Sequence, residues 1–329
     1  MKKIKLLDTF AWVWWFHLAL EQSIWKENIE CIWYSEIDKF ASSVYENHFP
    51  WTKNYWDITK IDIENLPELD LLTGGFPCTD VSVAGKWDLT KWRTILVEYL
   101  LQILEKKQPK YFVFENVKWL MSKKFDTFRE SIFERMRDAW YEVTIEVLNT
   151  KDFWLPQNRE RVFMVWKLSP HTWIYHFPIW QELTTFLKDI LEEEVEEKYY
   201  LNEKQIEKIE NSNFVQEKRR IQKWNTCETL LARDYKDPKC TKVLYNLFNN
   251  RVMKDISWTL WTWSWLTNKQ WYMVVGKTNI RKLTPTEYAR LQGFPDNWST
   301  DFVSNSQAYK QMWNAISVPV VKSIFDNLF

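Results

Sequence analysis

The strongest constraint on the fold is the alternation of buried strands with amphipathic helices along the first half of the chain. Runs of apolar residues predict the strands, and apolar residues at helical spacing predict the helices. The predicted strands cover residues 3–9, 29–35, 69–73, 110–114, 142–148 and 161–167, and the predicted helices cover 16–23, 38–47, 94–106 and 125–139. This alternation predicts an α/β fold in which helices cover both faces of a mostly parallel, Rossmann-like sheet.

Tryptophan and glycine occur in abnormal numbers, and their positions bear on the predicted turns. The 329 residues include 23 tryptophans and 5 glycines, whereas glycine usually makes up about 7% of a chain. Trp25 and Trp140 follow predicted helices, where the backbone often turns left-handed and glycine is preferred. Further tryptophans in predicted turns or loops are Trp51, Trp56, Trp119 and Trp154.

These positions favour the hypothesis that the gene uses UGA as a glycine codon and that translation has read it as tryptophan. The alternative is that the indoles form an aromatic core or stack on nucleic-acid bases, which would need spacing along one face of an element. Most of them show turn spacing instead, and a side chain in left-handed backbone costs roughly 1–2 kcal/mol. Trp298, in GFPDNW, is the one that we expect to be genuine.

Composition excludes several classes of protein. The 44 basic and 44 acidic side chains exclude a uniformly basic surface but allow a local basic groove. The four cysteines lie far apart, so neither a disulfide framework nor a zinc site is predicted. No stretch approaches the ~18 apolar residues of a membrane span, and Asp8 interrupts the apolar start that a signal peptide needs. We therefore expect a cytoplasmic protein that binds neither a membrane nor a metal.

A candidate nucleophile lies at the end of the third predicted strand, in the stretch LLTGGFPCTDVSVAG. Doubly wound sheets place their sites at the carboxyl ends of strands, and here a proline stiffens the turn that presents Cys78. By itself, a lone cysteine is more often a small buried residue. Two further stretches add to the signal: Glu115 and Asn116 directly follow the next strand, and Arg159 and Arg161 directly precede another.

The chain resembles the C5-cytosine DNA methyltransferases in six stretches, which occur in the order typical of that family. They are LDTFAWVWWF, GGFPC, ENV, QNRER, RKLTPTEYARLQGFP and MWNAISVPV. With glycine in place of tryptophan, the first and last become DTFAGVGGF and MGNAISVPV. The resemblance runs from residue 4 to about residue 325, except for a variable middle. The combination of PC, ENV and QxRxR is specific, although ENV alone would mean little.

The resemblance implies methyl transfer to carbon 5 of cytosine and suggests roles for four residues. The thiolate of Cys78 would add to carbon 6 and turn the ring into an enamine that attacks a sulfonium methyl group. Glu115 would protonate or hydrogen-bond ring nitrogen 3, and Arg161 would hold the carbonyl at position 2. Arg159 would lie nearby, for the base or a phosphate. The family commonly has glutamine after the catalytic cysteine, where this chain has Thr79.

The methyl donor that the resemblance implies is S-adenosylmethionine. Its site should combine the first turn with an acid at the end of the second strand for the ribose hydroxyls, and an acid at the end of the third for the adenine amine. Asn314 would return from the C-terminus to the same pocket. The residues expected to bind the cofactor are Phe10, Trp12, Trp14, Trp15, Glu36, Ile37, Asp57, Ile58, Pro77, Asn314 and Ala315.

The implied substrate is double-stranded DNA. Because the reaction occurs at the edge and face of the base, the target cytosine must leave the stack, and residues 82–93 would form the loop that closes over it. Between residues 167 and 280 the alternation disappears, which in the family corresponds to the target-recognition domain. The candidate DNA contacts are Ser82, Arg93, Arg233, Lys236 and Arg251. For the last three, simple surface charge is the ordinary alternative.

The predicted organisation is therefore a catalytic and cofactor-binding domain at 1–168, completed by 303–329. A linker and a smaller, irregular, mostly-β target-recognition domain would occupy 169–302. We expect a monomeric DNA (cytosine-5)-methyltransferase, either solitary or paired with a cognate restriction endonuclease. One alternative is a transfer RNA cytosine-5 methyltransferase, against which the lengthy recognition region weighs. Another is a catalytically impaired DNA-binding relative, which literal tryptophans in the cofactor turn would favour.

Overall fold

The chain forms two compact units. The computed structural model describes residues 3–13, 15–77, 92–167, 174–202, 227–228, 273–275 and 280–329. The first unit consists of Met1–Asn149, Glu160–Trp180 and Ile316–Phe329, and the second of Thr150–Arg159 and Gln181–Ala315. The domain boundaries at residues 168 and 303 stay a prediction.

The first unit is built on a seven-stranded sheet with the order β3-β2-β1-β4-β5-β8-β6. The strands of both units are β1 (Ile4–Thr9), β2 (Ile29–Ser35), β3 (Lys53–Asn54), β4 (Leu71–Gly75), β5 (Tyr111–Val117), β6 (Thr144–Asn149), β7 (Gln157–Asn158), β8 (Glu160–Lys167), β9 (Cys227–Glu228), β10 (Met273–Val275) and β11 (Ile280–Lys282). Neighbouring strands are parallel from β3 to β5, whereas β8 is antiparallel to β5 and β6. The predicted mostly parallel sheet is confirmed.

Helices cover both faces of this sheet. The helices of the two units are α1 (Trp15–Ile24), α2 (Lys39–His48), α3 (Trp92–Lys107), α4 (Asp126–Asp138), α5 (Pro285–Gln292), α6 (Asn305–Asn314) and α7 (Val318–Leu328). In the first unit, α1 packs against α7. Among the described residues, no helix has the length and apolar character that would let it cross a membrane.

The core of the first unit follows the alternation of side chains along the strands. Leu7, Leu72 and Phe112 share one face of the sheet and join one apolar cluster with Leu100 of α3 and Met136 of α4. Residues one position along point to the opposite face, because successive strand side chains alternate. There the ring of Tyr34 in β2 stacks on that of Tyr45 in α2, with 3.6 Å between centroids. The sheet is thus covered on both sides, as a parallel sheet requires.

In the second unit, helix α5 is capped at both ends. Thr284 and Glu287 form a capping box at its start, and Gly293 ends it with a φ of 78°. The buried carboxylate of Glu287 also accepts a hydrogen bond of 2.6 Å from Arg281. Of the short strands, β7 pairs with β9 in parallel and β10 pairs with β11 antiparallel. Of the predicted mostly-β recognition domain at 169–302, only residues 174–202, 227–228, 273–275 and 280–302 are described.

Two of the strand boundaries on which the candidate residues depend are wrong. β8 begins at Glu160, so Arg161 lies inside this strand rather than before it. Glu115 and Asn116 lie inside β5, which continues to Val117, rather than directly after the strand. The physical reason is the ladder with β8, in which Val117 pairs with Arg161 and so extends the strand past its apolar run. The two side chains therefore belong to a rigid element rather than to a loop.

The tryptophans predicted to lie in left-handed backbone do so. Trp25 has a φ of 66° and Trp140 a φ of 69°. Among the described residues, eight non-glycine residues have a positive φ, and five of them are Trp12, Trp25, Trp56, Trp140 and Trp154. By contrast, Trp51 and Trp119 are not among the residues with positive φ. Positive φ is unusual for any bulky residue, so its concentration at tryptophan fits positions that are built for glycine.

Asp8, near the end of β1, is a fully buried acid in the sheet. Its Oδ1 accepts a hydrogen bond of 2.7 Å from Thr73 Oγ1, and its Oδ2 has no partner among the described residues. Burial raises the pKa of this carboxyl to about 8, partly offset by the bond from Thr73. The folded chain therefore holds a proton on Asp8 that the unfolded chain releases near pH 4.

We predict that Asp8→Asn removes a pH dependence of stability. Between about pH 4 and pH 8 the folded state binds the extra proton, so the free energy of unfolding falls as the pH rises. Asparagine is neutral throughout this range. The free energy of unfolding of the variant, relative to that of the wild type, should therefore rise by roughly 1 kcal/mol per pH unit between about pH 5 and pH 7.5. Urea denaturation across that range measures this. Glu68→Gln, an exposed acid-to-amide exchange, should leave the slope unchanged, and a parallel pair of curves for Asp8→Asn would contradict the account.

Candidate active site

The carboxyl ends of β1, β4 and β5 approach one another so closely that a side chain would clash at one position of β4 and be crowded at the next. A Cβ at Gly74 would lie 2.5 Å from Thr9 Oγ1, and a Cβ at Gly75 would lie 3.2 Å from Glu115 Oε2. The Thr9 hydroxyl is itself fixed, because it donates a bond of 2.7 Å to the carbonyl of Thr73. The two glycines therefore let β4 end directly beside Glu115.

Asn116 holds the backbone that follows β4. Its Nδ2 donates to the carbonyl of Phe76 at 3.2 Å, and its Oδ1 accepts from the Val117 amide at 2.9 Å. Asn116 and Phe76 are both buried, so the backbone is fixed at Phe76, directly after β4 and directly before Pro77. Cys78, the predicted nucleophile, lies outside the described residues, as does Thr79.

Glu115 and Arg161 form an ion pair across β5 and β8. Arg161 Nε lies 3.0 Å from Glu115 Oε1, and both side chains are largely buried. The antiparallel register places Val117 opposite Arg161 and Glu115 opposite Phe163, so the two charged groups meet diagonally on the ladder. Arg161 Nη1 also donates to the carbonyl of Glu160 at 2.7 Å, which orients the guanidinium. The structure thus brings together two of the predicted catalytic residues.

Arg159 has a different environment, in the second unit. Its side chain is 2% exposed. Its Nη2 donates to the carbonyls of Trp313 at 3.1 Å and Ala315 at 2.6 Å, which flank Asn314 in the sequence. The guanidinium therefore holds the backbone on both sides of a predicted cofactor residue. Its expected contact with the base or a phosphate stays a prediction.

The first turn and the end of β2 are joined by Glu36. Its Oε2 accepts from the Trp12 amide at 2.9 Å, and its Oε1 accepts from the Asp38 amide at 2.7 Å. Burial raises the pKa of Glu36 to about 7, although the two amide bonds act in the opposite direction. In the same turn, Phe10 and Trp12 have φ values of 51° and 48°. The turn therefore needs a left-handed backbone at two positions to bring its amide onto the carboxylate.

The other predicted cofactor residues occupy varied surroundings. Asp57 is half-buried and begins a short 3-10 helix, where its Oδ1 accepts from the amide and the hydroxyl of Thr59 at 3.0 and 2.8 Å. Ile37 is exposed and Ile58 is buried. Pro77 and Asn314 are half-buried, and Ala315 is buried. Glu36 and Asp57 thus offer carboxylate acceptors suited to a donor-rich group such as an adenosine.

Trp15 conflicts with a cofactor in this place. It is the first residue of α1, its side chain is 4% exposed, and its indole Nε1 is buried without a hydrogen-bond partner in the described part of the chain. Its Cζ2 lies 3.5 Å from the Cβ position of Gly75, beside the carboxyl end of β4. The polar residues fit an adenosine group, whereas the indole occupies the space between the first turn and the strand that leads to Cys78.

Several predicted residues fall outside the described residues: Trp14, Ser82, Arg233, Lys236 and Arg251, together with the side chain of Arg93. Sequence reasoning also missed two residues that organise the site. One is Thr73, which binds both Asp8 and Thr9. The other is Asn54, which precedes the turn at Trp56 by two residues, a spacing at which an asparagine side chain often binds the backbone amide.

Comparison with known proteins identifies a family and several relatives. The sequence pattern of the C-5 cytosine-specific DNA methylase family matches residues 4–329. The Type II methyltransferase M.NlaX of Neisseria lactamica is 33% identical, over 98% of this chain and 96% of the relative. The Type II methyltransferase M.HhaI of Haemophilus parahaemolyticus is 30% identical, over 99% and 94%. The solved structure of the Entamoeba histolytica methyltransferase EhMeth superposes with a TM-score of 0.72 at 18% identity, over 100% of this chain and 98% of that one.

Proposed function

The chain belongs to the C-5 cytosine-specific DNA methylase family, and on that premise we propose how its residues carry out the reaction. It is a DNA (cytosine-5)-methyltransferase, and S-adenosylmethionine supplies the methyl group as an electrophile when bound. The observation that carries the assignment of roles is the ion pair between Glu115 and Arg161 at the carboxyl edge of the sheet. The Type II relatives support a role in a restriction-modification system, beside a cognate endonuclease.

We assign the role of nucleophile to Cys78. This residue lies two positions after Phe76, whose carbonyl is held by Asn116. Its thiolate adds to carbon 6 of a cytosine held outside the duplex stack, and the electron pair of the 5,6 double bond moves into the ring. Carbon 5 would take the methyl group from the sulfonium, which would leave as the neutral thioether S-adenosylhomocysteine. Once a base or water has taken the carbon 5 proton, the thiolate leaves carbon 6 and the double bond returns. The Asn116 bond to Phe76 fixes the backbone from which this thiol is presented.

Glu115 and Arg161 act on the charge that develops in the ring. The Glu115 carboxyl lies on a rigid strand and donates or shares a proton at ring nitrogen 3, which makes the addition at carbon 6 easier. Arg161 orients that carboxyl through its Nε, at 3.0 Å from Oε1. Its guanidinium also offers further N–H donors in a planar fork to the ring carbonyl. Gly75 leaves room for this carboxyl, because a Cβ there would lie 3.2 Å from Glu115 Oε2 and crowd it.

We predict that, in the chain carrying Trp12→Gly, Trp14→Gly and Trp15→Gly, duplex DNA containing 5-fluorocytosine traps the enzyme covalently when S-adenosylmethionine is present. Fluorine at carbon 5 cannot leave as a proton does, so the adduct with Cys78 should persist through denaturing electrophoresis. Cys78→Ser should form none, and Glu115→Gln should slow trapping by about 100-fold or more. Glu146→Gln is the matched control, because Glu146 is an exposed carboxyl on β6, which pairs with β8 and not with β5.

Two results would argue against the assignment. An adduct with Cys78→Ser would show that another group is the nucleophile. Trapping on transfer RNA containing 5-fluorocytosine, with none on duplex DNA, would favour the transfer RNA methyltransferase alternative.

We further propose that glycine occupies the tryptophan positions in turns, as recoding of UGA would produce. Five described tryptophans have positive φ, and at roughly 1–2 kcal/mol each the backbone strain would total about 5–10 kcal/mol. That total is as large as the net stability of an ordinary domain. For Trp25 the ψ is 137°, which lies outside the small left-handed helical region that L-residues can reach. Glycine removes the strain at every one of these positions.

The second support for glycine comes from Trp15. An indole N–H that is buried without a partner costs about 1–3 kcal/mol, and Trp15 Nε1 is such a group among the described residues. Glycine at position 15 removes the unpaired donor and opens the space beside Gly75 and Glu115. Glu36, Asp57 and the main chain of the first turn would then hold the adenosine end of the cofactor, with room for its methionine end.

We predict that a triple-glycine variant (Trp12→Gly, Trp14→Gly and Trp15→Gly) binds S-adenosylmethionine, whereas the chain with literal tryptophans binds it poorly or not at all. Isothermal titration calorimetry measures both affinities. Trp51→Gly is the control, because Trp51 is 96% exposed and is not among the residues with positive φ, so it should not restore binding. Equal affinity in the tryptophan and triple-glycine chains would overturn the proposal.

A further inference from the structure

The amide side chain of Asn54 makes an unusually complete set of hydrogen bonds. Asn54 ends β3, at the edge of the sheet, and pairs with Tyr34 of β2. Its Oδ1 accepts from the main-chain amides of Glu36 at 3.2 Å and Trp56 at 2.7 Å. Its Nδ2 donates to the carbonyl of Glu36 at 3.0 Å and to Ser42 Oγ at 2.8 Å. Two donors and two acceptors therefore use both ends of the amide.

The orientation of this amide follows from its partners. A main-chain N–H can only donate and a main-chain carbonyl can only accept, so Oδ1 must face the amides of Glu36 and Trp56 and Nδ2 must face the Glu36 carbonyl. Rotating the amide by 180° would oppose donor to donor at two places and acceptor to acceptor at one. The arrangement is therefore specific to asparagine, because neither aspartate nor a hydrophobic residue offers both kinds of group.

These bonds connect two segments that are distant in the sequence and adjacent in the fold. One is the end of β2, where Glu36 receives the amide of the first turn. The other is the turn at Trp56, which directly precedes Asp57 and has a φ of 60°. A second link supports the first, since Ser35 Oγ donates to the carbonyl of Trp56 at 2.9 Å. The backbone of each predicted cofactor acid is thus tied to the same amide.

We propose that Asn54 is a positioning residue that fixes the separation of the Glu36 and Asp57 carboxylates and so sets the fit of the site to an adenosine group. This inference rests on the proposed function, in which those two acids bind the ribose and the adenine. Asn54 touches neither moiety itself. It acts through the backbone: without its amide, the Trp56 turn and the end of β2 keep the Ser35 link, the 2.8 Å bond from the Tyr55 amide to the Tyr34 carbonyl and the short pairing of β2 with β3, but lose the bonds that hold the Glu36 and Trp56 amides on one oxygen. A ligand that contacts both acids then has to order them on binding.

The test compares three variants in the triple-glycine chain. Asn54→Ala removes all four bonds, and Asn54→Asp keeps an acceptor for the two amides but loses both donors. Asn47→Ala is the matched control, because Asn47 is an exposed asparagine in α2 whose amide donates to the Ser43 carbonyl at 2.7 Å, within the same helix. Calorimetry with S-adenosylhomocysteine, with adenosine and with methionine gives the affinities. Steady-state methylation of duplex DNA gives kcat and KM.

We expect Asn54→Ala to lower the affinities for S-adenosylhomocysteine and for adenosine by a similar factor of about tenfold. KM for S-adenosylmethionine should rise by the same factor. Methionine binding and kcat should change by less than about twofold, because the acids act on the adenosine end alone. Asn54→Asp should lie between Asn54→Ala and the parent, and Asn47→Ala should match the parent.

A role in stability alone would lower the melting temperature of Asn54→Ala and leave both adenosine-containing affinities unchanged, which would overturn the inference. An equal loss of methionine and adenosine affinity would also overturn it, because the effect would then not be specific to the two acids. The proposed function fails separately: in that case the triple-glycine parent itself would bind no S-adenosylhomocysteine.

Discussion

The site depends on how closely three strand ends approach one another at the carboxyl edge of the sheet. Gly74 and Gly75 let β4 end against Thr9 and Glu115, at distances that a Cβ would violate or strain. That approach places the Glu115–Arg161 pair beside the strand that leads into Cys78. It also leaves little volume for the residue at position 15, whose indole lies against the Gly75 Cβ position. The same crowding therefore brings the predicted catalytic residues together and sets the indole of Trp15 against the strand that leads to Cys78.

The carboxylates that we propose for the cofactor site are oriented mainly by main-chain groups. Glu36 accepts two backbone amides, and Asp57 accepts one together with a hydroxyl. Asn54 and Asn116 bind carbonyls and amides of the segments that carry the predicted cofactor and catalytic residues. Because a main-chain group occupies a definite position only if its φ and ψ are right, the chemistry of the site depends on the turns. The residues in those turns therefore decide whether the main-chain groups can reach the positions that the proposed cofactor site requires.

The sequence predicted the elements of the first unit well, because apolar spacing records which face of a strand or helix is buried. It could not predict that β8 runs antiparallel to β5, since spacing carries no information about strand direction. For the same reason, Glu115 was expected after the strand, although pairing with β8 extends β5 to Val117. Asn54 was missed because it lies eighteen residues from Glu36 in the sequence. Only the parallel pairing of β3 with β2 brings the two residues together. The left-handed tryptophans were predictable because turn geometry is local.

In the protein as cells make it, we expect the first turn to carry glycine. Tandem mass spectrometry of the protein isolated from its own cells tests this directly, because trypsin releases residues 6–26 as one peptide between Lys5 and Lys26. That peptide contains Trp12, Trp14, Trp15 and Trp25. The account predicts fragment masses that place glycine at all four positions. Fragments with tryptophan at position 15 would contradict it, because the indole would then occupy the space that the cofactor needs.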